Sequence, residues 1–231
     1  SAEQFSATLS RLKPQEAKAD MSIFKDFPKQ ELPTSDLVGT IRTGKQDSRG
    51  TPYSLDNFRF TADHPDITAK LAEIYGGKTG EWNTVKPDKY ELLSEASSLL
   101  VEVRHFDSEF ILWGANKPIY SCDGVTQKDE DASPCQCPSD YWEHRDMAAK
   151  GKACKPNLTS KLILVDAPEL GMFKFQSGSW LLASDVKEIE SFLDNAPHGS
   201  QMLFEIQQYE TKQGQPRQRP KFTPVLEVVS A

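Results

Sequence analysis

Residues 37–77 read LVGTIRTGKQDSRGTPYSLDNFRFTADHPDITAKLAEIYGG, and their pattern sets the fold class. Leu37-Val38-Gly39-Thr40-Ile41-Arg42 is strand-like, and a turn-rich segment from Gly44 to Tyr53 separates it from Phe58-Arg59-Phe60-Thr61, which alternates with period two. The two predict neighbouring strands. A helix follows from Asp63-His64-Pro65, where proline suits the first helical position because its missing N–H would have no partner there. Gly76-Gly77 stops it, and Ile67, Leu71 and Ile74 give it one apolar stripe with which to pack on a sheet.

Working outward, Leu99 to Val103 and Phe110 to Trp113 are β-type runs joined by Phe106-Asp107-Ser108, a hairpin pattern. Leu162 to Val165 and Trp180 to Leu182 are further strand signals. Ser184-Asp185 caps a second amphipathic helix bearing Val186, Ile189 and Leu193, which ends before Pro197. Met202 to Gln207 and Val225 to Val229 flank a loop containing Gly214, Pro216 and Pro220, and Pro224 puts the last strand on an edge. Residues 1–33 are polar and proline-punctuated, an N-terminal extension. Residues 34–231 then form a single α+β domain, mostly antiparallel β-sheet with two amphipathic helices.

All four cysteines fall between positions 122 and 154, as Cys122, Cys135, Cys137 and Cys154. Four thiolates complete a tetrahedral Zn²⁺ shell, and the intervening sequence is polar and turn-rich, so a metal would supply what packing cannot. Two disulfides or buried free thiols are the alternatives. Disulfides fit a secreted chain, for which no signal pattern is present, so a structural zinc site at residues 122–154 is favoured. His144 lies in the same window and could replace one cysteine.

The composition restricts what else the chain can do. A net charge of −7 repels a phosphate backbone unless basic residues are gathered locally, so little autonomous DNA binding is expected. No apolar run is long enough for a membrane span, and a cytoplasmic location is expected. Gly39 to Lys45 has the spacing of a phosphate-binding loop, but Gln46 stands where a Ser or Thr hydroxyl must reach Mg²⁺. The four histidines are dispersed, and no nucleophile-and-base set is recognisable. Lys212, Arg217, Arg219 and Lys221 form one acid-free basic stretch, read as a solvated hairpin loop with a partner contact as the functional alternative.

Several stretches resemble the recombination directionality factor-like family, known best as phage partners of large serine integrases. They are Gly39 to Gly44 leading to Gly50-Thr51-Pro52 and Phe58 to Thr61, then Ile74-Tyr75-Gly76-Gly77 and Trp82. Cys122-Asp123-Gly124-Val125, Pro134-Cys135-Gln136-Cys137-Pro138 and Ala153-Cys154-Lys155-Pro156 follow, and Phe222 to Val228 closes the series. The resemblance implies a non-enzymatic accessory factor that binds a large serine integrase, as its complex with attachment-site DNA, and favours excision over integration. A different class, a zinc-stabilised replication or single-strand nucleic-acid accessory protein of a mobile element, would need a basic groove with stacking faces, built from Arg217, Arg219 and rings such as Trp142. A metal-dependent hydrolase would require an open metal position beside a general base.

Overall fold

The computed structural model describes residues 37–115, 117–197 and 199–225. The expected extension at 1–33 and most of the expected strand at Val225 to Val229 lie outside them. The elements run β1 (Leu37–Gln46), β2 (Pro52–Ala62), α1 (Pro65–Tyr75), β3 (Lys78–Glu81), β4 (Tyr90–Leu93), β5 (Ser98–Trp113) and β6 (Pro118–Cys122). Then come α2 (Tyr141–Ala149), β7 (Lys155–Leu164), β8 (Met172–Ser177), α3 (Trp180–Asn195), β9 (Gln201–Glu210) and β10 (Pro216–Pro224).

One sheet holds every described strand, in the order β10-β9-β5-β7-β8-β1-β2-β4-β3, with β6 on the far part of β5. It is antiparallel except for β1 beside β8. The sheet curls so that β2 returns towards β9. The Phe58 and Phe204 rings lie 4.7 Å apart, and the Asp56 carboxylate accepts hydrogen bonds from Gln208 at 3.4 Å and Gln218 at 2.7 Å. Phe58, Phe60, Phe173, Phe175 and Phe204 fill the enclosed space, with Phe222 stacked on Phe204 at 4.2 Å. Burying rings of this size removes much apolar surface from water, the main favourable contribution to folding.

Helix α1 matches its terminal signals, but of its expected apolar stripe only Ile67 and Leu71 join the core, while Ile74 is 43% exposed. Pro65 opens it, His64 Nδ1 accepts from the Asp66 N–H, and Leu71 is fully buried. Gly77 has φ +100°, and a Cβ there would sit 2.0 Å from the Leu93 carbonyl oxygen, so glycine is required by both conformation and space.

Five expectations are corrected. The two runs around Phe106-Asp107-Ser108 are one sixteen-residue strand, β5, not a hairpin. A bulge between Val103 and His105 slips the inward-facing set by one residue, so Val101 and Val103 upstream, and Phe106 downstream, all reach the core. Trp180 to Leu182 is the first turn of α3 rather than a strand, because Ser179 Oγ accepts the Leu182 N–H at 3.2 Å and caps the helix there. Ser184, read as that cap, lies inside the helix and donates to the Leu181 carbonyl.

A third helix, α2, also stands inside the cysteine region, where only turns were expected. Asp140 caps it by accepting the Glu143 N–H at 2.9 Å. Lastly, the basic stretch is mostly strand: β10 carries Arg217, Arg219 and Lys221, and only Lys212 sits in the turn. Pro216, Pro220 and Pro224 share one parity on this edge strand. Their missing N–H groups fall on the side away from β9, which blunts the edge against strand addition. β10 is thus an edge strand, while the strand expected on the edge at Val225 to Val229 lies mostly outside the described residues.

Candidate metal centre

Cys122 ends β6, Cys135 and Cys137 lie in the loop before α2, and Cys154 directly precedes β7. The sheet therefore supplies two ligands from strand ends, and the loop must deliver the other two. It does so through local hydrogen bonds. Asp123 Oδ1 accepts from the N–H groups of Val125 at 2.8 Å and Thr126 at 2.7 Å, and these bonds, the Thr126 one first, hold its carboxyl below the usual range. The Cys135 N–H then donates to the Val125 carbonyl at 2.7 Å, which folds the loop back over β6.

The result is a single cluster: the four Sγ atoms all lie within 4.8 Å of one another. Tetrahedral zinc with bonds of about 2.3 Å separates its sulfurs by roughly 3.8 Å, so this spacing suits one ion. All four cysteines are free, and they gather at one point rather than as two separate bridges. Cys122 and Cys154 are buried.

The electrostatics fit a cation. Burial, then the hydrogen bond with Cys135, pushes the Cys122 thiol up to about 12. Burial raises Cys137 and, with its neighbouring thiols, Cys154. Burial opposes ionisation of Cys135 too, but hydrogen bonds from the Cys137 N–H and from the Cys122, Cys137 and Cys154 side chains outweigh it, so its pKa falls. Four such groups can all ionise only around a positive charge. The Cys154 N–H donates to Cys137 Sγ at 3.3 Å, the type of backbone contact that supports a ligating thiolate.

His144 does not join the sulfur cluster. Its Nε2 donates to the Cys154 carbonyl oxygen at 2.9 Å, and its ring packs 5.3 Å from Phe110 and 5.1 Å from Trp180. It thus ties α2 both to a candidate ligand and to the aromatic contact between β5 and α3. Helix α2 left a sequence signal that could have found it, Asp140 three residues before Glu143, which matches a capping pattern.

Beside this centre, α2, the start of α3 and the β9–β10 turn enclose a groove of about 1100 Å³. Tyr141, Trp142, Trp180 and Tyr209 give it aromatic walls, and Arg145, Lys212 and Arg219 give it cations. Trp142 is 64% exposed. Of the four basic residues singled out in the sequence, the structure brings Lys212 and Arg219 to this groove. Arg219 is half-buried, donating to Gln207 at 2.9 Å and pairing with Asp185 of α3 at 3.2 Å. Arg217 is exposed, and Lys221 pairs in register with Glu205.

A family model described as Gp3-like, recombination directionality factor-like, matches residues 38–229. The chain belongs to the recombination directionality factor-like family. The match begins inside β1 and takes in the whole sheet, the cysteine cluster and β10, so the resemblance seen in the sequence is confirmed over the described fold. No solved structure matches the chain significantly. No helix among the described residues is long and apolar enough to cross a membrane.

Proposed function

We propose that this protein is a recombination directionality factor: it binds a large serine integrase on attachment-site DNA and favours excision over integration. The family match over residues 38–229 supports this reading most directly. The factor does no covalent chemistry; it binds one integrase conformation better than another and shifts which synaptic complex is populated, by no more than that difference in affinity. It therefore acts stoichiometrically with integrase.

In this reading Cys122, Cys135, Cys137 and Cys154 hold one structural Zn²⁺, which pins the loop and α2 against the sheet. The groove beside α2 is the integrase contact. Exposed Trp142, with Arg145 and Lys212 at hand, has the aromatic and arginine-rich composition of interface hot spots. Lys212 and Arg217 serve partner binding, while Arg219 and Lys221 sit on the strand that frames the groove.

The same groove favours one other reading. It brings Trp142 and Arg219 together, as a single-strand nucleic-acid accessory protein would require. Recombination assays with candidate integrases decide between them. The factor should permit recombination between the two hybrid product sites and inhibit the forward pair. Tight binding of single-stranded DNA at moderate salt, with every candidate integrase unaffected, would replace the directionality reading by the accessory one.

A further inference from the structure

The neighbouring strands β7, β8, β1 and β2 carry six cationic residues, Arg42, Lys45, Arg59, Lys155, Lys161 and Lys174, and a single carboxylate, Asp56. On a chain of net charge −7 this is a marked local reversal. The register shows where these cations point. Ile41, Phe60, Leu162 and Phe175 are buried towards the core, so the alternate residues of each strand form the opposite face; on β2 that face is itself covered, with Arg59 3% and Thr61 0% exposed, while Lys155 and Lys174 stand exposed. There Lys161 faces Lys174, Lys174 faces Thr40, and Thr40 faces Thr61, with Arg42 opposite Arg59 one step along. Across four strands about 4.8 Å apart, this band is roughly 14 Å wide.

At one end the band closes around Trp82. The guanidinium carbons of Arg59 and Arg42 lie 4.2 and 5.1 Å from its ring centre, and the Lys86 ammonium lies 5.6 Å away. Two carboxylates attend this end. Glu91 is shared by Arg59 at 2.6 Å and Lys45 at 2.9 Å, while Asp88 accepts from Thr40 and Thr61 and lies 3.8 Å from Arg42. Four cations against two anions leave an excess of positive charge, before Lys174 is counted. Burial, then the neighbouring Arg59, lowers the Arg42 pKa, and burial with Arg42 and Arg59 does the same to Lys86, as expected of crowded cations.

We propose that this outer sheet face contacts the phosphate backbone of duplex DNA. Its exposed cations, Lys155 and Lys174 with Lys86 at the edge, are of the kind that binds phosphate rather than reads bases. The indole at its end is already covered by guanidinium groups, so it is no platform for an unpaired base. A band of cations without an apolar anchor suits a linear polyanion better than a protein, whose stable contacts need a buried apolar centre. The face goes beyond the integrase contact and gives the factor a second hold on an integrase–DNA complex.

The test is fluorescence anisotropy of the full chain, purified with its metal, on a labelled duplex of arbitrary sequence. Binding is expected at low salt. With about four phosphates neutralised, affinity should fall on the order of 10²-fold between 50 and 200 mM salt. Lys174→Glu and Lys86→Gln should each weaken it several-fold with unchanged melting temperature, while Lys70→Glu, exposed on α1, should not. No duplex binding at 50 mM salt, preference for single strands, or indifference to Lys174→Glu would overturn the proposal. So would a Lys174→Glu protein that loses DNA-free integrase binding but keeps its duplex affinity, which would mark the face as an acidic-protein site. The probe contains no integrase, so a negative result here leaves the directionality reading standing.

Discussion

His144 Nε2 lies 2.9 Å from the carbonyl oxygen of Cys154, joining the middle of α2 to the residue that ends the cysteine set. Both residues are buried. Replacing His144 by Ala leaves that carbonyl without its donor, at a cost of about 1–3 kcal/mol. His144→Ala should therefore lower the melting temperature and speed metal loss to a chelator, yet keep four intact thiols by titration under denaturing conditions. Unchanged chelator kinetics would show that α2 does not support the cluster.

Metal analysis of protein purified without chelator should find about one zinc per chain, since four thiolates within one coordination shell bind a single ion. Cys135→Ser or Cys154→Ser should release it and lower stability. Two disulfides and no metal, with the fold intact, would refute the centre.

Arg219 and Arg217 should behave differently despite their shared charge. Arg219 ties β10 to Asp185 of α3 and to Gln207, so Arg219→Glu places like charges together in a half-buried site. It should cost about 1–3 kcal/mol in denaturant unfolding. Arg217 is exposed on the same strand, and Arg217→Glu should leave stability nearly unchanged. Equal effects would mean that the Asp185 pair contributes nothing.

Glu91 makes the fold sensitive to acid. Burial alone would raise its pKa, but hydrogen bonds and charge from Lys45 and Arg59 outweigh it, so its folded-state value lies below the ordinary carboxylate value. The stability it provides is thus present above its unfolded pKa and is lost as pH falls through the folded one. Glu91→Gln should be destabilised relative to the parent at pH 7, and the gap should narrow below about pH 4.5. A gap that stays constant down to pH 3 would contradict this.

Trp142→Ala should weaken integrase binding by tenfold or more while the melting temperature holds, because the ring is largely exposed in the free protein. Titration of labelled factor into integrase measures it. An unchanged affinity would place the contact elsewhere.

The residues differ in how much they disclosed. Period-two alternation at Phe58 to Thr61, the proline and glycines around α1, and four cysteines in one short window are local signals, each with its own physical cause, and each is legible without a partner. Trp180 misled because an apolar triplet reads alike in a strand and in a buried helical turn, and only the capping bond from Ser179 separates the two. The bulge beside Arg104 hid β5 by shifting its inward period in mid-strand. The basic stretch looked like a loop because its prolines argue against a strand anywhere but on an edge.

By itself, then, the sequence determined the α+β class, the position of α1, the shared cysteine window and the family resemblance, because all of these rest on neighbours along the chain. Only the tertiary structure decided that β1 lies parallel to β8, that Lys174 and Arg42 share a face, and that Arg219 is a tie to α3. It also decided that the groove beside Trp142 joins α2 to a turn about seventy residues later. Those pairings depend on how a twisted sheet closes on itself to bury its phenylalanines, and no local pattern records which strands that closure brings together.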